Sequence, residues 1–428
     1  MAALGVKRYE TGLLELHKQL SPPSMVAHPH STLASRSSGT RITWSTLPPQ
    51  LHPAGAGVPA ERRQRKCDQI DSVLAIVMPL ASKEDMHIVD FGGGTGAIAL
   101  PLAGLLPEVT VTIVDVSEKS LAIAQRRAAD AGVVNLKIFC GDIGSFSDAF
   151  DLGISLHACG EASDLAMHAC ITAGARFVIA PCCVGKLSRK RMNNVTWNQT
   201  GSFDARLSYP RSAVISAVLS SENYDALACA GDFSEVSTDG SKQGTLRRLA
   251  KCWLEHDRQL WAEEKGFSCF VCRMEPPTAS QKNQILFGWP RTSPPEQAVI
   301  DALTHSAVDE ILSSGIELLR PYSVTSNDGI QGDGLSHAAE TCVESTTSTC
   351  AQDVPALKFA LAASEWSEAE IGDVRARLSE VKDGPVEVPA GSSRQRKLVH
   401  FIAGEMGMRH RSLGKKSKAV LVYPCAHN

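Results

Sequence analysis

The chain has 428 residues, 43% of them hydrophobic and 21% charged, with a formal net charge of −3. That length holds about two or three domains and a sizeable core, which excludes a wholly disordered chain, and near neutrality excludes a generally basic nucleic-acid coat. No apolar run approaches the roughly 20 residues of a membrane-spanning helix, so no membrane partner is expected, and thirteen scattered cysteines without a secretory signal read as reduced thiols of the cytoplasm, nucleus or an organelle matrix.

Residues 16–60 contain no Asp or Glu but carry Lys18, Arg36 and Arg41 among many Ser, Thr and Pro. Residues 1–58 therefore read as a disordered extension whose composition an organellar transit peptide also tolerates. A charged start, Glu61-Arg62-Arg63-Gln64-Arg65-Lys66, leads into Ile70, Val73, Leu74 and Val77 at helical spacing, which predicts a helix beside the first strand. From Met86 to Arg291 short β-branched runs alternate with helical ones, the pattern of a parallel sheet covered on both faces. Strands are expected at residues 87–91, 109–114, 136–140, 152–156 and 177–180, with a helix at 97–106 after the first. A polar insertion then passes Tyr209-Pro210-Arg211-Ser212 and a charged helix at 245–265. Two last strands, 267–274 and 284–288, are too close for a crossover helix and should pair antiparallel.

The first strand runs into Val89-Asp90-Phe91-Gly92-Gly93-Gly94-Thr95-Gly96 and a helical stretch. Glycine lets the backbone take positive φ and touch a ligand, and the helix start presents free N–H groups. Read as Gly94-x-Gly96-x-x-Ala99, the loop also fits a dinucleotide fingerprint. Asp90, Asp115 after the second strand and Asp142 after the third favour S-adenosylmethionine. Its ammonium wants a carboxylate environment, its ribose hydroxyls meet the second acid and its adenine lies near the third. Asp90, Gly92, Gly94, Gly96, Asp115 and Asp142 are thus the expected cofactor residues. Asp115 is also readable as a helix cap and Asp142 as a turn residue.

Strands four and five must end at the same carboxyl edge, which brings His157, Cys159, Cys182, Cys183 and Lys186 to one pocket. The residues leave three uses open: acid, base or pocket wall; cysteine nucleophile; or zinc ligand. Plain packing is the bland alternative. RNA 5-methylcytosine enzymes pair two strand-end cysteines as Cys159 and Cys182 do here, although they place Pro-Cys after strand four rather than five. Adjacent cysteines aim poorly at one tetrahedral centre, so no metal is expected. Cys269-x-x-Cys272 has ligand spacing but sits in a strand, where residues three apart face opposite sides. Lys186 with Arg189, Lys190 and Arg191 reads as a track for an anionic backbone or as a solvated loop.

His157-Ala158-Cys159-Gly160-x-x-x-Asp164-Leu165-Ala166, followed by Ala180-Pro181-Cys182-Cys183-Val184-Gly185-Lys186-Leu187, resembles the methyltransferase domain of glutathione-transferase-C-terminal-domain-containing proteins. It is similar, more distantly, to the eukaryotic tRNA 2′-O-methyltransferase of the acceptor stem, whose Cys/His zinc fingers have no counterpart in this sequence. The likeness covers residues 59–291. It implies an α/β, Rossmann-like seven-stranded methyltransferase sheet with an antiparallel last hairpin, using S-adenosylmethionine.

Residues 292–362 read as a helix or two and then a Ser/Thr/Asn/Gly linker, after which Ser367 and Glu370 form a capping box. From Gly391 onward eight basic residues face Glu405 alone, so the terminus is strongly positive. Arg396 and His400 lie one helical turn apart, Leu398, Val399, Ile402 and Met406 supply an apolar stripe, Gly407 ends the helix and residues 419–423 form a strand. Residues 363–428 resemble the small α+β domain named for an arginine and a histidine separated by three residues, which binds single-stranded nucleic acid. That likeness implies contacts through Arg396, His400, Arg409, Arg411, Lys415 and Lys416. The expectation is a methyltransferase delivered to RNA, with tRNA the favoured class. Alternatives are a nucleic-acid-binding protein with a non-catalytic cofactor domain, and a methyltransferase of protein or small molecules.

Overall fold

The computed structural model describes residues 2–33, 41–53, 59–81, 85–187, 207–232, 241–307, 310–319 and 368–379, and, nearer the C-terminus, 386–389, 399, 402–403, 406, 408–412 and 419–423. The chain divides into two units, 1–330 and 331–428. In the first, a two-residue strand β1 (Met25–Val26) precedes the main strands β2 (His87–Phe91), β3 (Thr110–Asp115), β4 (Leu136–Cys140), β5 (Leu152–Leu156), β6 (Arg176–Ala180), β7 (Phe267–Arg273) and β8 (Gln284–Pro290), and β9 (Ser306–Ala307) follows.

The main sheet has the order β4-β3-β2-β5-β6-β8-β7. Neighbours from β4 to β6 are parallel, whereas β8 runs antiparallel to both β6 and β7. This is the expected Rossmann-like seven-stranded sheet closed by an antiparallel hairpin. Strand order reverses between β2 and β5, so a crevice opens at their carboxyl ends, where ligands of open α/β sheets sit. Alternation places Val89, Phe91 and Val114 in one apolar layer and Ile88, Val111 and Ile113 in the other. Cys269 and Cys272 likewise fall in opposite layers and are buried there as core residues. No described helix is long and apolar enough to cross a membrane.

The N-terminal extension departs from its expected disorder. The Ala2–Gln19 helix buries Tyr9, Leu13 and Leu16 in the core, against the Ser221–Asp232 helix. Gly12 brings the two helices close, since a Cβ there would lie 3.5 Å from both Asn223 and Leu227. β1 pairs antiparallel with β9, and buried His28 bonds through Nε2 to the Ser72 carbonyl at 2.9 Å. The acid-poor composition begins only after the helix's apolar stripe, so it described the segment poorly. At the other boundary, the Gln297–Leu303 and Glu310–Leu319 helices stand where a helix or two was expected and bury Leu303, Leu312 and Leu319 within the first unit, which therefore extends past residue 291. Residues 320–367, including Ser367, lie outside the described residues.

In the second unit β10 (Val386–Pro389), β11 (Arg409–Ser412) and β12 (Ala419–Tyr423) form an antiparallel sheet in the order β10-β12-β11. Leu378 of the Glu368–Ser379 helix, Val388, Val399, Ile402, Ala403, Val420 and Val422 make its core. The predicted apolar stripe is thus buried at Val399 and Ile402.

Candidate functional site

β2 ends at Phe91, and the chain turns through Gly92, Gly94 and Gly96 with φ of 71°, 56° and 77°. Side chains rarely adopt such angles, which is why glycine recurs here at alternate positions. The Gly94 N–H donates to Asp115 Oδ2 at 2.9 Å and the Ser117 N–H donates to Asp115 Oδ1 at 2.8 Å. The acid closing β3 therefore pins the cradle and orients the next helix, whose cap is Ser117. Asp142 follows β4 at the same edge, is exposed, and accepts from the Gly144 N–H at 2.8 Å.

Asp90 is only 2% exposed, and its Oδ2 has no hydrogen-bond partner among the described residues. Burial pushes its carboxyl up to about 7, against the pull of the Ala99 amide and Lys66. A buried carboxyl oxygen left without a partner beside a glycine turn is costly unless a donor or cation approaches it. A Cβ on Gly93 would lie 2.5 Å from that oxygen. Gly93 is thus needed for close approach rather than for φ, and alternation of the other glycines hid it. Arg127 was also illegible: its Nη1 donates to the Thr95 carbonyl at 2.6 Å, its Nε to Gln50 at 2.9 Å and its Nη2 to His52 at 3.0 Å, tying the cradle to the N-terminal segment.

β5 ends in a strained turn, with φ of 70° at His157 and 64° at Gly160. Gln69 donates through Nε2 to the Ala279 carbonyl at 2.7 Å, which turns its Oε1 to His157 Nε2 at 2.9 Å. His157 accordingly carries its proton on Nε2 and leaves Nδ1 as an acceptor. Burial, with Lys66 nearby, lowers this imidazole to about 4, so it is neutral at physiological pH. From sequence, Lys66 was only part of a charged helix start, and nothing marked Gln69, on the same Ala60–Leu80 helix.

The Cys159 and Cys182 Sγ atoms are 3.1 Å apart and those of Cys182 and Cys183 3.7 Å apart. All three sulfurs lie within 4.8 Å of one another. Cys182 and Cys183 can both lie near Cys159 because the chain leaves the regular strand after Ala180. Hydrogen bonds from Cys159 and Cys182, helped by Lys282 and Lys186, hold the Cys183 thiol down. Hydrogen bonding to Cys159 and Cys183 pushes Cys182 up. Lys186 sits in the Gly185–Leu187 turn against Gly160, where a Cβ would lie 2.8 Å from its own. Arg189, Lys190 and Arg191 lie outside the described residues.

Behind these turns lies a buried ionic network. Asp164 meets Arg258 at 2.8 Å and accepts from the Tyr209 hydroxyl at 2.9 Å, and Arg258 meets Glu255 at 2.9 Å. Lys251 pairs with Glu255, and Asp257 accepts from the Arg211 and Ser212 amides at 2.7 and 2.8 Å. The Tyr209-Pro210-Arg211-Ser212 segment is thereby fixed to the Glu161–Ala173 and Lys242–Glu264 helices. In the second unit, Arg409 and Arg411 stand on β11 opposite Tyr423 and Leu421. Arg396, His400, Lys415 and Lys416 lie outside the described residues.

Residues 65–190 match a family model described as a methyltransferase domain. The chain is 32% identical over 285 residues to the glutathione S-transferase C-terminal domain-containing protein homolog of Drosophila melanogaster, covering 66% of this chain and 46% of that protein. It is 29% identical to the Homo sapiens glutathione S-transferase C-terminal domain-containing protein, over 58% of this chain and 37% of that one. The chain thus spans less than half the length of these relatives. Among solved structures it is similar to magnesium protoporphyrin IX methyltransferase from Synechocystis with bound SAH, at 16% identity and a TM-score of 0.33, covering 54% of this chain and 88% of that one.

Proposed function

With a methyltransferase domain at residues 65–190 and S-adenosylmethionine as its cofactor, we propose that the chain methylates RNA, with tRNA the favoured class, and that residues 363–428 bring that RNA to it. The observation that carries the cofactor reading is the cradle: Asp115 takes the Gly94 and Ser117 amides, and Asp90 Oδ2 stays open beside Gly93. Its residues fit the cofactor, since the open carboxylate suits an ammonium and the glycines leave room for a ligand against the backbone. When bound, S-adenosylmethionine supplies an electrophilic methyl on sulfur. The chain then aligns the acceptor and takes its proton. His157 Nδ1 is the acceptor group at this edge, and a low basicity suits a proton released late, as the acceptor oxygen or nitrogen gives up its electrons.

RNA as the recipient is supported by the basic terminus and by its likeness to a single-strand-binding domain. Preference for tRNA rests on the more distant likeness to the acceptor-stem enzyme. Calorimetry with S-adenosylmethionine tests the first part: the wild-type chain should bind and Gly94→Arg should not, because φ is 56° there and Asp115 Oδ2 lies 3.7 Å from a Cβ. Absence of binding by the wild-type chain would sink the reading.

A further inference from the structure

We propose that Cys159, Cys182 and Cys183 form a zinc site, three thiolates on one ion, with the fourth position open at the carboxyl edge of the sheet. The inference stands on the sulfurs alone and does not depend on which substrate is methylated. Around zinc, with bonds of about 2.3 Å in a tetrahedron, neighbouring sulfurs sit roughly 3.8 Å apart. Here they are 3.1 and 3.7 Å apart along the trio, and all lie within 4.8 Å. Only small shifts are needed to place an ion between them.

Three features hold the sulfurs together. Backbone bonds staple the two strand-end turns: the Gly160 N–H donates to the Cys183 carbonyl at 3.1 Å and the His157 N–H to the Ala180 carbonyl at 3.3 Å. Positive φ at His157 and Gly160 turns the chain so that Cys159 faces Cys182 rather than solvent. Charge is matched as well. Lys66 interacts electrostatically with Cys182, Lys186 with Cys159 and Cys183, and Lys282 Nζ lies 3.9 Å from Cys183 Sγ. Three thiolates on a divalent ion carry one net negative charge, which Lys186 and Lys66 offset, Lys282 being shared with Asp232 at 2.8 Å.

An all-sulfur donor set selects a thiophilic ion such as zinc over magnesium or calcium. Binding releases the thiol protons to solvent, so no oxidant or reductant is required. Among the described residues no fourth His, Cys, Asp or Glu joins the group. Three protein ligands with an open place is the pattern of a reactive zinc, which takes a water or an acceptor atom and lowers its pKa.

The test uses the full chain, purified without chelator or polyhistidine tag, reconstituted with zinc chloride under reductant and dialysed. Plasma mass spectrometry should find one equivalent of zinc. Cys159→Ser, Cys182→Ser and Cys183→Ser should each lose it, while Cys140→Ser and Cys229→Ser retain it. Cobalt in place of zinc should show the thiolate charge-transfer absorption in the wild-type chain, a readout that survives if a variant fails to fold. Gly94→Arg should keep zinc while losing S-adenosylmethionine, which separates failure of this site from failure of the cofactor reading. Substoichiometric zinc in the wild-type chain, no charge-transfer band, or full zinc in Cys182→Ser would overturn the proposal. A Cys159–Cys182 disulfide that persists under reductant would do the same.

Discussion

As the proposed seat of the cofactor's ammonium, Asp90 should make cofactor binding depend on pH. Its ordinary value of 3.8 is raised to about 7 by burial, so near neutrality much of it is protonated before a cation arrives. Below that value binding an ammonium must expel the proton. Affinity for S-adenosylmethionine should therefore weaken by up to about tenfold per pH unit as pH falls from 7 to 5. Calorimetry across that window checks it, with Asp90→Asn expected to bind weakly and to flatten the slope. For stability the sign is opposite: the folded state holds this proton more tightly, so Asp90 stabilises least once pH has risen through about 7. Gly93→Ala puts a Cβ 2.5 Å from Asp90 Oδ2, and overpacking of this kind costs about 1–3 kcal/mol. Its melting temperature and cofactor affinity should fall together. At this scale the sequence was legible where chemistry marks a residue, at Asp90, Gly94 and Asp115. It was illegible where a role depends on a neighbour distant in sequence, as for Gly93, Gln69 and Arg127.

Elements carry the second tier of stability. β2, β4 and β5 begin and end where they were expected, because each is a short, largely apolar run followed by Gly or His. The Ala2–Gln19 helix escaped notice, since a stripe of Tyr9, Leu13 and Leu16 gains meaning only when the Ser221–Asp232 helix covers it. Leu13→Ala should cost about 2–5 kcal/mol in urea unfolding, as a fully buried leucine leaves a cavity. Little change would mean that this helix is not part of the cooperative core. The ionic network gives the opposite pH signature to Asp90. Burial alone would raise Asp164, but Arg258, Arg211 and the Tyr209 hydroxyl more than offset it and leave the carboxyl below its ordinary value. Its contribution is present at neutral pH and is lost as pH falls below 3.8 through the folded value. Asp164→Ala leaves Arg258 buried without its main partner and should cost about 3–5 kcal/mol.

For the molecule as a whole, the proposed function assigns the donor to one unit and RNA binding to the other. Removing residues 363–428 should reduce RNA affinity and its salt dependence while leaving S-adenosylmethionine binding intact. Unchanged RNA affinity would refute the delivery role. The donor's place was readable because a strand, a glycine turn and two acids recur within a short stretch. The proposed acceptor side was not, since His157, Cys182 and Lys66 are brought to one sheet edge only by folding. Nucleoside mass spectrometry of RNA from cells lacking the protein tests the central claim most directly. A methylated nucleoside should be lost, and the wild-type chain should restore it while Gly94→Arg does not. An unchanged set of methylated nucleosides would contradict RNA methylation by this chain.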